Sequence, residues 1–252
     1  MNKESLQQQQ IELANQLIVP AEGEGYQITD GDLVFSFDIQ YQGAQGYVAV
    51  DVLAWPDQSL GLFTQVYDVT VPYEPGFFAF REGPLLLQAL DDLCKCRNIS
   101  PNLLIIDGHG TAHPRRSGVA SWLGIKADVP AIGVAKDPLL KKEYVVGVEK
   151  GDRAAIYDNE ELVGYVLRTR KKVKPIYVSS GHQIGQTEAV KTIFALVGDY
   201  RIIDPIRRAD QFARRFSKGE WLEGWSDQIP NFLKFTYHGW IKRMFYFHSD
   251  KC

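Results

Sequence analysis

The alternation of apolar and polar positions divides the chain into a short list of elements. Residues 4–18 place Leu6, Ile11, Leu13, Leu17 and Ile18 roughly on one side, the spacing of an amphipathic helix that Pro20 ends. Three segments, 33–41, 47–55 and 60–71, are rich in β-branched and aromatic residues. Gly43, Gly46, Pro56 and Asp57 occupy connections too short for a crossover helix, so these segments predict an antiparallel meander. A helix over 84–97 follows, with Pro84 in its first turn and Leu86, Leu87, Leu90, Leu93 and Cys94 as its apolar face. The unbroken apolar run Leu103 to Ile106 closes on Asp107-Gly108-His109-Gly110, which suits a strand buried on both faces in a parallel arrangement. A short helix over 117–126, a buried strand over 131–135, a hairpin about Asp158-Asn159, a strand over 175–180 and helices near 185–198 and 206–216 complete the set. The order predicts one α/β domain over residues 1–216: a mixed sheet of three antiparallel strands and then parallel strands, flanked by helices. Residues 217–252 hold nine aromatics and read as an aromatic and basic extension.

Composition narrows the class. At 45% hydrophobic and 23% charged residues the chain is ordinary globular protein, which argues against disorder. No apolar run approaches the roughly 18 residues of a membrane span, and the start lacks the apolar segment of a signal peptide. We therefore expect a monomeric cytoplasmic protein with no membrane partner. Three cysteines, an odd number, cannot all pair within the chain and read as reduced thiols; Cys94-Lys95-Cys96 lacks the second pair that a zinc site needs. The net charge of −3 argues at face value against a nucleic-acid partner. It conceals a gradient, however. Residues 1–100 carry 4 Lys+Arg against 14 Asp+Glu, and residues 101–252 carry 24 against 17. Solvated surface accounts for such asymmetry as readily as an acidic cluster beside a phosphate-binding face.

Three acids bear on chemistry. Asp38 shares one face of its strand with Val34, Ser36 and Gln40, opposite Phe35 and Phe37; alone it reads as an exposed strand acid. Asp107 ends a fully apolar strand, on the side of an α/β sheet where ligands bind, although Asp-Gly is also a common turn pair. Glu82 alone reads as a helix-start acid that favours the macrodipole. Jointly they can converge on one point, and three clustered carboxylates become tolerable around a divalent cation. All-oxygen donors select a hard ion such as magnesium or manganese.

Several stretches resemble the endonuclease V family of ribonuclease-H-like nucleases. They are P-Y-E-P-G-F-F-A-F-R-E (72–82), D-G-H-G-T-A-H-P-R-R-S-G-V-A-S (107–121), I-G-V-A-K (132–136), S-G-H (180–182) and R-I-I-D-P-I-R-R-A-D (201–210), in family order. The resemblance implies a ribonuclease-H-like fold and metal acids at Asp38, Glu82 and Asp107, with Mg2+ as cofactor and Mn2+ as a working substitute. It implies a site lysine at Lys136 and a site histidine at His182; alone these read as a strand-end cation and a capping residue. It further implies a substrate of inosine-containing DNA or RNA, cut at the second phosphodiester bond on the 3′ side of the inosine to leave 3′-hydroxyl and 5′-phosphate ends. Reading the base requires extruding it from the stack. Tyr73, stiffened by Pro72 and Pro75, resembles the family's wedge, and Gly76 and Gly108 fall where the family offers backbone groups to the flipped base. His109, Arg115 and Arg116 join them as substrate-binding candidates. Arg168, Arg170, Lys171, Lys172 and Lys174, with Arg207, Arg208, Arg214 and Arg215, form two basic clusters that suit phosphates or plain solvated surface.

Three positions depart from the family: Phe37 before Asp38, Gly83 before Pro84, and Gln183 in place of an arginine after His182. Two rivals stand beside the nuclease: an inosine-binding protein that has lost cleavage, and a metal-dependent hydrolase of small phosphate esters.

Overall fold

The computed structural model describes residues 3–140 and 142–227. One nine-stranded mixed sheet, in the order β6-β7-β8-β5-β4-β1-β2-β3-β9, carries helices on both faces. The predicted meander is present as β1 (Leu33–Gln42), β2 (Gln45–Ala54) and β3 (Gln58–Asp68), paired antiparallel. Strands β4 (Leu103–Asp107) and β5 (Ala131–Ala135) extend it in parallel from β1. The parallel run stops there. Strand β8 (Ile176–His182) pairs antiparallel to β5, and the hairpin of β6 (Arg153–Asp158) and β7 (Glu161–Leu167) continues beyond it.

Helices α2 (Phe78–Arg97) and α3 (Val119–Ala127) cover one face, with α1 (Lys3–Ala14) against α3. Helices α4 (Gln186–Ala195) and α5 (Asp204–Ser217) cover the other, α4 over β7 and β8 and α5 over β1 and β2. The central strands are buried on both faces, which is why Leu103 to Ile106 shows no alternation: Leu104 and Ile106 enter the α2/α3 core and Leu103 and Ile105 the opposite one. Among the described residues no helix is long and apolar enough to cross a membrane.

Two helices differ from the sequence reading. Helix α1 ends at Ala14, and its buried side is Leu6, Gln10 and Leu13, spaced i, i+4, i+7, while Ile11 and Ile18 are exposed. Periodicity weighted by hydrophobicity cannot find a buried glutamine. Helix α2 begins six residues before the predicted start, at Phe78, so Pro84 lies inside it. Gly83 packs flat on the Trp122 ring of α3, where a Cβ would meet the indole at 2.4 Å. Phe37, one of the departures from the family, is fully buried in the α2/α3 core, on the face of β1 opposite Asp38. Cys94 is a free thiol.

Within the segment set apart as an extension, β9 (Gly224–Ser226) adds to the outer edge of β3, and Trp221 meets Phe212 edge-on at 4.4 Å. Residues 228–252, including Trp240, lie outside the described residues.

Candidate active site

Strands β1 and β4 are in register up to Phe37 and Ile106, so Asp38 and Asp107 stand side by side one residue beyond the last pair. Asp107 is paired on its other flank with Val134 of β5, and Lys136, two residues on, reaches back to Asp107 Oδ2 at 2.5 Å. Glu82 comes from α2 on one face of the sheet, accepting a hydrogen bond from the Tyr41 hydroxyl at 3.3 Å. From the opposite face α5 brings Asp210, which the sequence reading quoted in Arg-Ala-Asp but did not assign. Gln40 donates to Asp38 at 3.2 Å and to Asp210 at 3.4 Å, spanning the two.

These acids are held under electrostatic tension. Burial, then the charges of Asp107 and Asp210, push the Asp38 carboxyl up to about 8. Burial, then Asp38 and Asp107, drive Glu82 well above the ordinary glutamate range. Burial alone would lower the Lys136 ammonium, but Asp107 in contact, with Asp38 and Asp210 behind it, holds it high. Such mutual perturbation at a sheet's carboxyl end is what a cation-binding or acid-base site looks like. Among the described residues no three His, Cys, Asp or Glu side chains close into a ready-made metal cage.

The segment before α2 is a tight turn that leads into the helix carrying Glu82. Glu74 O accepts from Phe77 N at 3.0 Å, with Pro75 and Gly76 at the corners and Gly76 at φ +82°, the left-handed conformation of a type II turn. Tyr73 projects from it, 61% exposed, its ring edge-on to Phe78. Gly108 lies against Val119, where a Cβ would clash at 2.4 Å. His109 bonds the Asp137 carbonyl. His113, which the sequence reading passed over, is pressed to a pKa of about 3 by burial, then by Arg115 and His109, against a bond to the Gly76 backbone; it is neutral at physiological pH.

Several predicted contacts are already committed within the protein. Arg116 pairs with Asp158 at 3.0 Å and Glu161 at 2.8 Å, tying the loop to the β6–β7 hairpin. Arg115 bonds Gly76 O at 2.8 Å and lies over the Phe77 ring. In the basic clusters, Arg168 and Arg170 donate to backbone carbonyls, Lys171 and Lys174 pair with Glu149 and Asp137, and Arg208 is buried on Asp51.

His182 does not join the site. It ends β8 opposite Ala131, three residues along β5 from the level of Asp107, or about 10 Å towards the other end of the sheet. Its ring is buried, with Nδ1 near Ile18 N and Nε2 3.9 Å from Asp128. The resemblance alone implies a site histidine here, whereas its own residues read as a capping histidine; an antiparallel β8 delivers its last residue to the edge away from the acids. Gln183 is there too, bonded to Asp128. His182→Asn should therefore leave turnover within about threefold of wild type, less than one tenfold step of barrier height. A hundredfold loss at unchanged thermal midpoint would return it to the site.

The Endonuclease V family model matches residues 14–211. Endonuclease V of Rippkaea orientalis is 43% identical over 179 residues, 70% of this chain and 75% of that protein. That of Methanopyrus kandleri is 40% identical over 190 residues, 75% of this chain and 80% of the relative. The crystal structure of Endonuclease V from Streptomyces avermitilis aligns with a TM-score of 0.77 at 36% identity, over 86% of this chain and 94% of that one. Ciona intestinalis Endonuclease V, solved in complex with a 24mer DNA containing an inosine followed by a ribo-adenosine, aligns with a TM-score of 0.74 at 26% identity, over 86% and 98%.

Proposed function

Since this chain belongs to the endonuclease V family and is an endonuclease, we propose that it recognises inosine in DNA or RNA and hydrolyses the second phosphodiester bond on the 3′ side, with magnesium or manganese as cofactor. The observation that carries this reading is the convergence of Asp38, Asp107, Glu82 and Asp210 from both layers onto the end of the two central parallel strands, beside Lys136.

The donor set fits a hard divalent ion. Asp38 and Glu82 are strongly perturbed buried carboxylates, and opposite charge is the ordinary way to keep such groups ionised. The open arrangement suits magnesium, which is commonly held by one or two carboxylates, with water and substrate phosphate filling the rest of its shell. Asp38 and Asp107 would hold it, with Glu82 and Asp210 at its margin. When bound, the ion supplies Lewis-acid polarisation of a phosphate oxygen and a lowered pKa for water.

The chain's own groups do the rest. Lys136, half-exposed on Asp107, is placed to share its positive charge with a scissile phosphate as negative charge develops on it. Tyr73 is an exposed ring on a proline-stiffened turn, suited to fill the gap left by an extruded base. Gly76, exposed in the left-handed conformation, and Gly108, which has no side chain, leave backbone within reach of that base. Fixed amides can tell hypoxanthine's O6 and N1–H from adenine's amino group and bare N1.

Incubating the protein with matched inosine and adenine oligonucleotides, as DNA and as RNA, tests the reading. A magnesium-dependent nick at the second bond 3′ to inosine, absent from the adenine strand, is expected; equal nicking of both strands would sink it.

A further inference from the structure

Gln10 is a polar side chain with no exposed surface, on a helix of which the family model reaches only the last residue, Ala14. Its amide group closes a ring of hydrogen bonds with two distant residues. Gln10 Nε2 donates to Gly76 O at 3.0 Å, Arg115 Nη2 donates to the same oxygen at 2.8 Å, and Arg115 Nε donates to Gln10 Oε1. Each partner comes from a different stretch: α1, the turn at 74–77, and the loop after β4. A second link runs from Lys3 to Glu74 at 2.8 Å, but it is solvated and contributes little.

The Gly76 carbonyl follows the left-handed corner of the turn, so fixing its direction fixes the peptide plane that joins Gly76 to Phe77. Arg115 brings a charge-assisted bond, and Gln10 holds the guanidinium in the plane that makes it. Nothing in α1 faces the acids through this contact; its effect runs through the turn. The buried Gln10 amide would be left unpaired were the turn to move, so the loop is held by the desolvation penalty as well as by the bonds.

We infer that Gln10 is a positioning residue that pre-organises the Tyr73–Gly76 turn for base recognition, through the shared Gly76 carbonyl and Arg115. This rests on the inosine reading for its purpose, not for its geometry. In the free protein, Gln10→Ala should speed amide hydrogen exchange across 72–78 by roughly tenfold, the scale of one lost hydrogen bond, with exchange in β1 and β4 unchanged. Gln10→Glu keeps an acceptor for Arg115 but cannot donate to Gly76 O, so it should behave like Gln10→Ala.

On an inosine duplex both variants should raise KM by roughly tenfold with kcat little changed, because pre-organisation is lost and the reacting groups are not. The signal of 2-aminopurine placed next to the inosine, which reports unstacking, should fall with it. Unchanged exchange in 72–78 overturns the inference whatever the substrate. A parallel fall of exchange protection in the whole sheet, with kcat lost on every substrate, overturns it too, since Gln10 would then be merely structural. Failure of the wild-type protein to discriminate inosine would instead sink the functional reading and leave the exchange result to decide the local one.

Discussion

Asp107→Asn should reduce magnesium-dependent nicking of an inosine oligonucleotide by at least about 10²-fold, the scale of one pre-organised charge-stabilising group, while leaving the fold intact. The substitution keeps the shape of the side chain and removes a charge from a cluster already under strain. Asp107 is a cause of the raised pKa of both Asp38 and Glu82, so its neutralisation relieves both neighbours. It also releases Lys136, whose closest carboxylate it is. The thermal midpoint in metal-free buffer should therefore hold or rise even as activity collapses, and magnesium, expected to raise the midpoint of the wild type, should no longer raise that of the variant. Asp38→Ala should match it in activity. Near-wild-type nicking by either variant would remove the acid pair from the chemistry.

The second large effect is one of stability. Asp51 on β2 is fully buried and receives both arms of the Arg208 fork from α5, at 2.6 and 2.8 Å. Burial pushes the Asp51 carboxyl up, and Arg208 pulls against it; the Arg208 guanidinium is held high by the same pair despite its own burial. Removing one partner strands the other charge in the core. Asp51→Ala should cost about 3–5 kcal/mol, or roughly 6–20 °C in thermal midpoint for a domain of this size. Replacing both at once, Asp51→Leu with Arg208→Met, should recover most of that, because burying an ion pair gains little over apolar packing. Calorimetry decides it: a single variant within about 1 kcal/mol of wild type would mean the pair does not hold α5 to the sheet. Since Asp210 sits two residues along α5, loosening this anchor should also weaken catalysis.

How much of this was legible beforehand depended on the kind of signal. The meander and the two buried parallel strands follow from local pattern, and so does the order of helices. Asp38 and Asp107 could be paired on paper because both sit at strand positions with a defined face and end. Glu82 was found although its helix was drawn too short, since an acid two residues before Pro84 keeps its place on either reading. His182 entered through the resemblance alone, while its own setting after Ser-Gly reads as a capping residue, and the antiparallel β8 sets it near Ile18 and Asp128. Asp210 was visible as the last letter of a quoted stretch, yet only α5 folding back over β1 brings it to Gln40. Gln10 carried no signal at all: a buried amide is defined by partners 66 and 105 residues away.

Most of the cations that looked like a track for phosphate turned out to be internal fastenings. Arg168, Arg170, Arg208 and Arg214 each bind this chain's own carbonyls or acids. This agrees with the net charge of −3: attraction to polyanions in bulk is weak, and affinity must come from the local site.

The short strand β9 has a bearing on solubility. An eleven-residue outer strand such as β3, carrying Leu60, Leu62 and Phe63, is a template on which a second copy of the protein could add itself. Three residues suffice to occupy Leu62 to Thr64, and Trp225 from the same strand lies against Gly61, leaving an intruding strand no uninterrupted run of free amides and carbonyls. The segment that reads as an appendage thus begins by making the sheet a poor partner for itself.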